Sequence, residues 1–362
     1  MKALKSAAIA AALLLLAGCE MVVLDPAGDV AKQQGQLIVY ATVLMLIVIL
    51  PVMALTVFFA LHYRASNKKA NYAPEWDHSI SLEIVVWSVP LAIIICLAGL
   101  TWVATHRLEP YDDLTRIAED VPVDPAVKPL TVQVVALDWK WLFIYPEQGI
   151  ASVNEVAAVV DRPVEFRLTS ETVMNSFYIP ALAGQIYAMA GMETELNAVI
   201  NEPGQYEGFS ANYSGNGFSQ MRFEFHGLSA DEFDRWVDSV RAAPQRLDRL
   251  SYLKLAERSI SHPVQHFGSA DPELWDRIIN LCVDRGTLCV DDMMMVDALG
   301  GGGLAGLTDR ERFADICSSD DPTSLYRLIR GEPLPAQSVM SPLVSLPSPA
   351  ELSLRDPVTD DG

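Results

Sequence analysis

The sequence predicts a membrane protein in which two transmembrane helices carry an all-β outer domain followed by a helical C-terminal extension. Three observations predict this. Two uncharged apolar runs, residues 37–61 and 84–103, are about 25 and 20 residues long, enough to cross a hydrocarbon core. From Leu130 onward apolar residues recur at period two, the spacing of strands. From Ser229 the spacing becomes that of amphipathic helices.

Composition agrees. Of 362 residues, 51% are hydrophobic although 20% are charged, so the apolar residues are segregated into stretches beside an ordinary soluble domain. The net charge of −20 excludes a nucleic-acid partner, which needs clustered Lys and Arg. Acidity of this kind usually serves solubility, although it also suits docking of a basic protein.

At the amino terminus, Lys2 and Lys5 precede an apolar run at 7–16 and then Leu16-Ala17-Gly18-Cys19. A basic start, a short apolar core and small residues form the secretory pattern. Because they lead directly to a cysteine, the segment resembles a bacterial lipoprotein signal. Residues 1–18 are then the signal peptide, Cys19 is the lipidated first residue, and 19–36 form an outer N-terminal segment. The hairpin at 37–107 follows. Pro51 should kink its first helix, and Trp87 and Trp102 stand near the interfaces of the second. Arg64, Lys68 and Lys69 are the basic cluster between the spans, which makes that loop cytoplasmic and places both the amino terminus and everything after His106 outside. Glu83 stands at the cytoplasmic start of the second span. An acid beside hydrocarbon is a functional candidate, with an interfacial carboxylate as the alternative.

In the outer domain, residues 125–228, Thr131-Val132-Gln133-Val134-Val135-Ala136 alternates partly, and Trp139, Trp141, Phe143 and Tyr145 continue at period two. Val164 to Thr169 and Met221 to Phe225 alternate cleanly, with turn signals at Pro146-Glu147-Gln148-Gly149, Asp161-Arg162-Pro163 and Asn201-Glu202-Pro203-Gly204. Short strands so spaced predict a sandwich or barrel. A capping box at Ser229 and Glu232 opens a helix with Phe233, Trp236, Val237 and Val240 on one face, to pack on the sandwich or on a neighbouring subunit. A second helix falls within 271–283, with Leu274, Trp275 and Ile278 on one face, so 229–285 is expected to be helical. The Gly-, Pro- and Ser-rich residues 286–362 read as a flexible tail.

Two spans followed by an outer β domain resemble subunit II of haem–copper oxidases over roughly residues 25–280. The resemblance implies a cupredoxin-like sandwich. In the cytochrome c oxidases of that family this domain holds a dinuclear copper centre, ligated by one early His and a loop Cys-x3-Cys-x3-His-x2-Met. Here the loop keeps its spacing but carries Ser210 and Ser214 at the thiolate positions, Phe218 at the imidazole and Met221 at the thioether; Asn175 stands at the early His. A hydroxyl does not replace a bridging thiolate, and a lone thioether is a weak ligand. No metal is therefore expected in this chain.

That loss is similar to the cytochrome bo-type ubiquinol oxidases. The match extends through Tyr63-Arg64-Ala65-Ser66-Asn67-Lys68, Glu83-Ile84-Val85-Val86-Trp87-Ser88-Val89-Pro90, Asp138-Trp139-Lys140-Trp141, Ile144-Tyr145-Pro146-Glu147-Gln148-Gly149-Ile150, Met174-Asn175-Ser176-Phe177 and Gln185-Ile186-Tyr187-Ala188-Met189-Ala190-Gly191-Met192. It implies a non-catalytic subunit of a proton-pumping quinol oxidase in the bacterial inner membrane, with its C-terminal domain periplasmic. Subunit I and other small membrane subunits would be its partners, with ubiquinol as substrate of the complex, haems and copper in subunit I, and membrane lipid around the hairpin. The resemblance also puts Glu83 at the mouth of a proton channel of subunit I, implies that Trp139 is a core or interface residue without copper behind it, and places Met189 and Met192 in the core. The alternatives are a lipid-anchored structural or binding protein of cupredoxin type without an oxidase partner, and a copper-bearing cytochrome c oxidase subunit.

The six histidines show no haem- or copper-ligand spacing, and Met293 to Met295 read as an ordinary stretch. Cys96 is expected to pack within the second span. Cys282, Cys289 and Cys317 allow one disulfide and one leftover thiol, with the pairing open.

Overall fold

The computed structural model describes residues 21–71, 73, 75–284, 287 and 289–298. The signal segment 1–18, Cys19, Cys317 and most of the tail lie outside them.

The two apolar runs form α1 (Asp29–His62) and α2 (Ile80–Arg107), each longer than its apolar core. Both are long and apolar enough to cross a membrane. At 1.5 Å per residue α1 is about 50 Å long, against a hydrocarbon core of about 30 Å. Its surplus lies at the amino-terminal end, where Val30 and Ala31 are buried with Ala27. Gly28 is needed at this entry: its N–H donates to the Ala181 carbonyl at 2.8 Å, and a Cβ would stand 2.6 Å from the Val199 oxygen. Burial ends at Gly35, after which the helix presents bare apolar side chains and runs through Pro51 unbroken. No described residue of α2 is buried, and Cys96 is exposed with a free thiol rather than packed within this chain.

A small hairpin, β1 (Arg116–Ala118) and β2 (Val121–Pro122), leads into the outer domain. Its strands are β3 (Leu130–Leu137), β4 (Lys140–Tyr145), β5 (Ile150–Val153), β6 (Glu155–Val159), β7 (Val164–Ser170), β8 (Asn175–Tyr178), β9 (Ile186–Ala188), β10 (Thr194–Ala198), β11 (Gly204–Ser210) and β12 (Arg222–Leu228). After them come α3 (Ala230–Arg241), β13 (Arg246–Leu247), α4 (Arg249–Ala256), β14 (Gln265–Phe267), β15 (Ser269–Ala270) and α5 (Leu274–Ile279). One sheet runs β10-β7-β3-β4-β5-β14 and the other β6-β12-β11-β8-β9. Pairing is antiparallel in both except for β3 with β7 and β6 with β12. This is the expected sandwich.

The partial alternation of β3 and β4 has a physical cause: both faces are covered. Val132, Val134, Trp141, Phe143 and Tyr145 enter the core between the sheets. Val135, Leu137, Leu142 and Ile144 point the other way and are buried beneath Leu247, Tyr252, Leu255, Leu274, Trp275 and Ile278. The C-terminal region is thus a second layer over the six-stranded sheet. It is not purely helical: β13, β14 and β15 interrupt it, and β14 pairs with β5, giving that strand's backbone groups a partner. The Ser229 backbone N–H donates to the Glu232 carboxylate at 3.0 Å, completing the capping box, and α3 packs on the sandwich through Phe233, Val237 and Val240. Cys282 and Cys289 are both disulfide-bonded. The separate unit Asp284–Gly362 contributes α6 (Val290–Ala298) to the described residues.

Candidate functional site

Two strands bring the degenerate ligand positions together. Asn175 opens β8 and Ser210 closes β11, and the register pairs Ser210 with Phe177. Asn175, Ser210 and Met221 are almost wholly buried. Ser210 Oγ donates to Asn175 Oδ1 at 3.2 Å, Asn175 Nδ2 donates to the Val173 carbonyl at 3.0 Å, and the Ser210 N–H donates to the Met221 carbonyl at 3.2 Å. Ser214 and Phe218 turn to other partners. The Ser214 carbonyl accepts from Trp139 Nε1 at 3.1 Å, and the Phe218 ring meets Tyr213 edge-on at 5.6 Å. The Ser214 hydroxyl is shielded and has no partner. Hydroxyl, amide, phenyl and thioether do not fit a dinuclear copper centre, which needs soft bridging sulfur and imidazole. Among the described residues no group of three or more His, Cys, Asp and Glu side chains is placed to hold a metal.

Trp139 stands in the β3–β4 turn with φ of 64° rather than in the strand, and its ring lies over the loop glycines. A Cβ at Gly217 would fall 2.4 Å from that ring. The residues flanking Trp139 are clamped to the C-terminal layer. Lys140 is buried, and its Nζ donates to the Glu257 carbonyl and to Ser259 Oγ, each at 2.7 Å. Asp138 accepts from Arg258 Nε at 2.7 Å and from Thr172 Oγ1 at 2.8 Å. Burial pushes the Lys140 ammonium below its ordinary pKa, against the opposing pull of Asp138, Glu171 and Glu257. Burial likewise raises the Glu171 carboxyl, helped by Asp138 and opposed by Lys140.

A second cluster was not foreseen because its members are far apart in sequence. Glu155 bridges His226, at 3.2 Å, and His266, joining β6, β12 and β14. Burial works to raise the Glu155 carboxyl, but hydrogen bonds from both histidines outweigh it and hold it below the usual range. Two methionines divide: Met189 is half-buried, whereas Met192, expected in the core, is 52% exposed. It sits one residue past Gly191, whose φ of 71° turns the chain at the surface.

Glu83 lies in the first turn of α2, far along that helix from the outer domain. Its Oε1 is 2.6 Å from His78 Nδ1, and both side chains are about half exposed. His78 escaped the sequence reading because histidines were weighed only for metal spacing.

The family described as "COX Aromatic Rich Motif" matches residues 241–286, the layer over the six-stranded sheet. The chain is 50% identical over 268 residues to cytochrome bo(3) ubiquinol oxidase subunit 2 of Pseudomonas putida, covering 74% of this chain and 82% of that protein. It is also 50% identical over 266 residues to ubiquinol oxidase subunit 2 of Acetobacter aceti, covering 74% and 84%. The quinol oxidase subunit 2 of Bacillus cereus is 34% identical over 269 residues, covering 72% and 89%. Among solved structures, the periplasmic domain of subunit II of cytochrome oxidase from Bradyrhizobium japonicum aligns at 22% identity and a TM-score of 0.30, covering 32% of this chain and 96% of that one. On sequence similarity of this depth and extent, the chain belongs to the ubiquinol oxidase subunit 2 family.

Proposed function

We propose that this chain is a subunit without a redox centre of its own in a proton-pumping ubiquinol oxidase of the inner membrane. The complex takes electrons from quinol, reduces oxygen to water and moves protons. Subunit I, bearing the haems and copper, is the partner that covers part of the bare hairpin. Lipid on Cys19 adds an anchor on the periplasmic side, where the sandwich also lies. The observation that carries this reading is the loop at 210–221. Its spacing is that of a copper loop, yet Asn175 and Ser210 hydrogen-bond to each other where ligands would converge. The test is copper analysis of the purified complex together with oxidation assays on ubiquinol and on reduced cytochrome c. Copper beyond that of subunit I, or turnover with cytochrome c, would overturn it.

Glu83 is the chemical residue of this chain in that reading: it gathers protons at the cytoplasmic face for the partner subunit. Its exposure and its contact with the His78 imidazole support this, since a water-accessible carboxylate beside a titratable ring suits proton exchange. Glu83→Gln in the assembled complex should slow turnover and proton uptake together by severalfold. Unchanged rates of both would remove Glu83 from the path.

A further inference from the structure

The first turns of α1 border a recess of about 280 Å3 with the β1–β2 hairpin and the strand connection at Asn201. Asp29, Lys32, Gln36, Arg116, Glu119 and Asn201 line it. Its basic groups are arranged by a half-buried pair: Arg116 donates through Nε and Nη2 to the two oxygens of Asp29, at 2.8 and 3.1 Å. The third nitrogen, Nη1, has no partner among the described residues. Lys32 reaches Glu202 at 3.1 Å, with both side chains exposed, so its ammonium keeps donors for another acceptor. Acceptors also go unused. Glu119 has no ion pair among the described residues, and Asn201 donates its amide N–H groups to Ile117 and Asp161 while its Oδ1 is shielded and lacks any donor.

The level of this recess matters. Gln36 is the last residue before the apolar run at 37–61, and burial against the outer domain ends at Gly35. Lys32 lies five residues above Leu37, about 7.5 Å along the helix at 1.5 Å per residue. The polar region on each side of a hydrocarbon core is roughly 5–8 Å deep. The unused donors and acceptors thus stand at headgroup level.

We propose that this recess binds the headgroup of an aminophospholipid: a phosphate diester against Lys32 and Arg116 Nη1, and a primary ammonium against the exposed Glu119 carboxylate. The proposal rests on α1 crossing the membrane. The unpaired Glu119 carboxylate is what selects an N–H donor, because a headgroup with three methyl groups on nitrogen offers none.

The test uses the assembled complex, delipidated in detergent, with lipid retention measured by native mass spectrometry. The probes are phosphatidylethanolamine, phosphatidylglycerol, phosphatidylcholine, soluble glycerophosphoethanolamine and inorganic phosphate. Phosphatidylethanolamine should be retained about tenfold more tightly than the other two lipids, a difference of roughly 1.4 kcal/mol. Glu119→Gln should erase that preference, and Lys32→Gln should weaken retention of all three lipids. Both side chains are exposed, so neither variant disturbs folding. Equal retention of the three lipids, saturation by inorganic phosphate alone, or an unchanged preference in Glu119→Gln would overturn the proposal. Extraction of membranes with alkaline carbonate separates the underlying failure: release of the chain would remove the spanning helix itself, whereas a retained chain without lipid preference would remove only the headgroup site.

Discussion

The loop at residues 210–221 and the turn at 78–83 treat their polar groups in opposite ways. In the loop, Asn175 and Ser210 are buried and bonded to each other, and Trp139 is fixed to the Ser214 carbonyl. At the turn, Glu83 and His78 share one contact and otherwise face outward. Groups satisfied by neighbours hold a shape; groups open to water can exchange protons. The difference teaches that the loop's polar groups are spent on holding its shape, whereas those at the start of α2 stay open to water.

The largest effect comes from placing copper ligands at the loop positions. The quadruple variant Asn175→His, Ser210→Cys, Ser214→Cys, Phe218→His should raise the copper content of the outer domain from background to about two ions, since thiolates and imidazoles suit that metal. The β8–β11 register already presents positions 175 and 210 to each other. Metal analysis checks this, and a variant that folds without copper would show that this scaffold does not bring the four positions into a copper geometry.

A smaller change tests whether the loop is held by packing. Gly217→Ala drives a methyl group into the Trp139 ring, and overpacking of this kind costs about 1–3 kcal/mol. Chemical denaturation of the complex reads the loss, and a shift in tryptophan fluorescence reads the displaced ring. Full stability would mean that the turn and the loop move independently.

The sequence showed the hairpin and the sandwich because each rests on local spacing. Residues 241–286 were harder to read. Tyr252, Leu255 and Trp275 are buried in one cluster with Leu142 and Ile144, which lie far earlier in the sequence. Strand β14 is three residues long and exists because β5 offers it an edge. The Glu155 cluster joins residues 71 and 111 positions apart, and no spacing rule reaches that far. Lys140 stands in an aromatic motif that gives no sign of its burial, which rests on hydrogen bonds to the distant Glu257 carbonyl and Ser259 Oγ.

The Glu155 cluster is intermediate between loop and turn, half-buried and titratable, and its effect should appear in pH dependence. The His226 imidazole is held above its ordinary pKa, first by its hydrogen bond to Glu155, against burial and with help from the charges of Glu155 and Glu224. Its stabilisation is fully present below the unfolded value, near 6.5, and disappears as pH rises through the folded one. Glu155 behaves oppositely: its contribution is present above the unfolded carboxyl value and disappears as pH falls through its depressed folded value. His266 faces the same carboxylate from β14. The melting temperature of the complex should therefore fall on both the alkaline and the acid sides, and His226→Gln should flatten the alkaline limb. A limb unchanged in that variant would assign it elsewhere.

The smallest effect belongs to the Glu83 turn, and its smallness is informative. An exposed ion pair contributes about 0–1 kcal/mol because water screens both partners and ordering two side chains opposes the gain. Glu83 and His78 are 51% and 59% exposed. Glu83→Gln should thus leave the melting temperature of the complex nearly unchanged, in contrast to Gly217→Ala. A stable variant with slowed proton uptake would separate chemistry from folding at this residue. If stability and uptake fell together, Glu83 would be holding the turn as the loop residues hold theirs, and the contrast between the two regions would collapse.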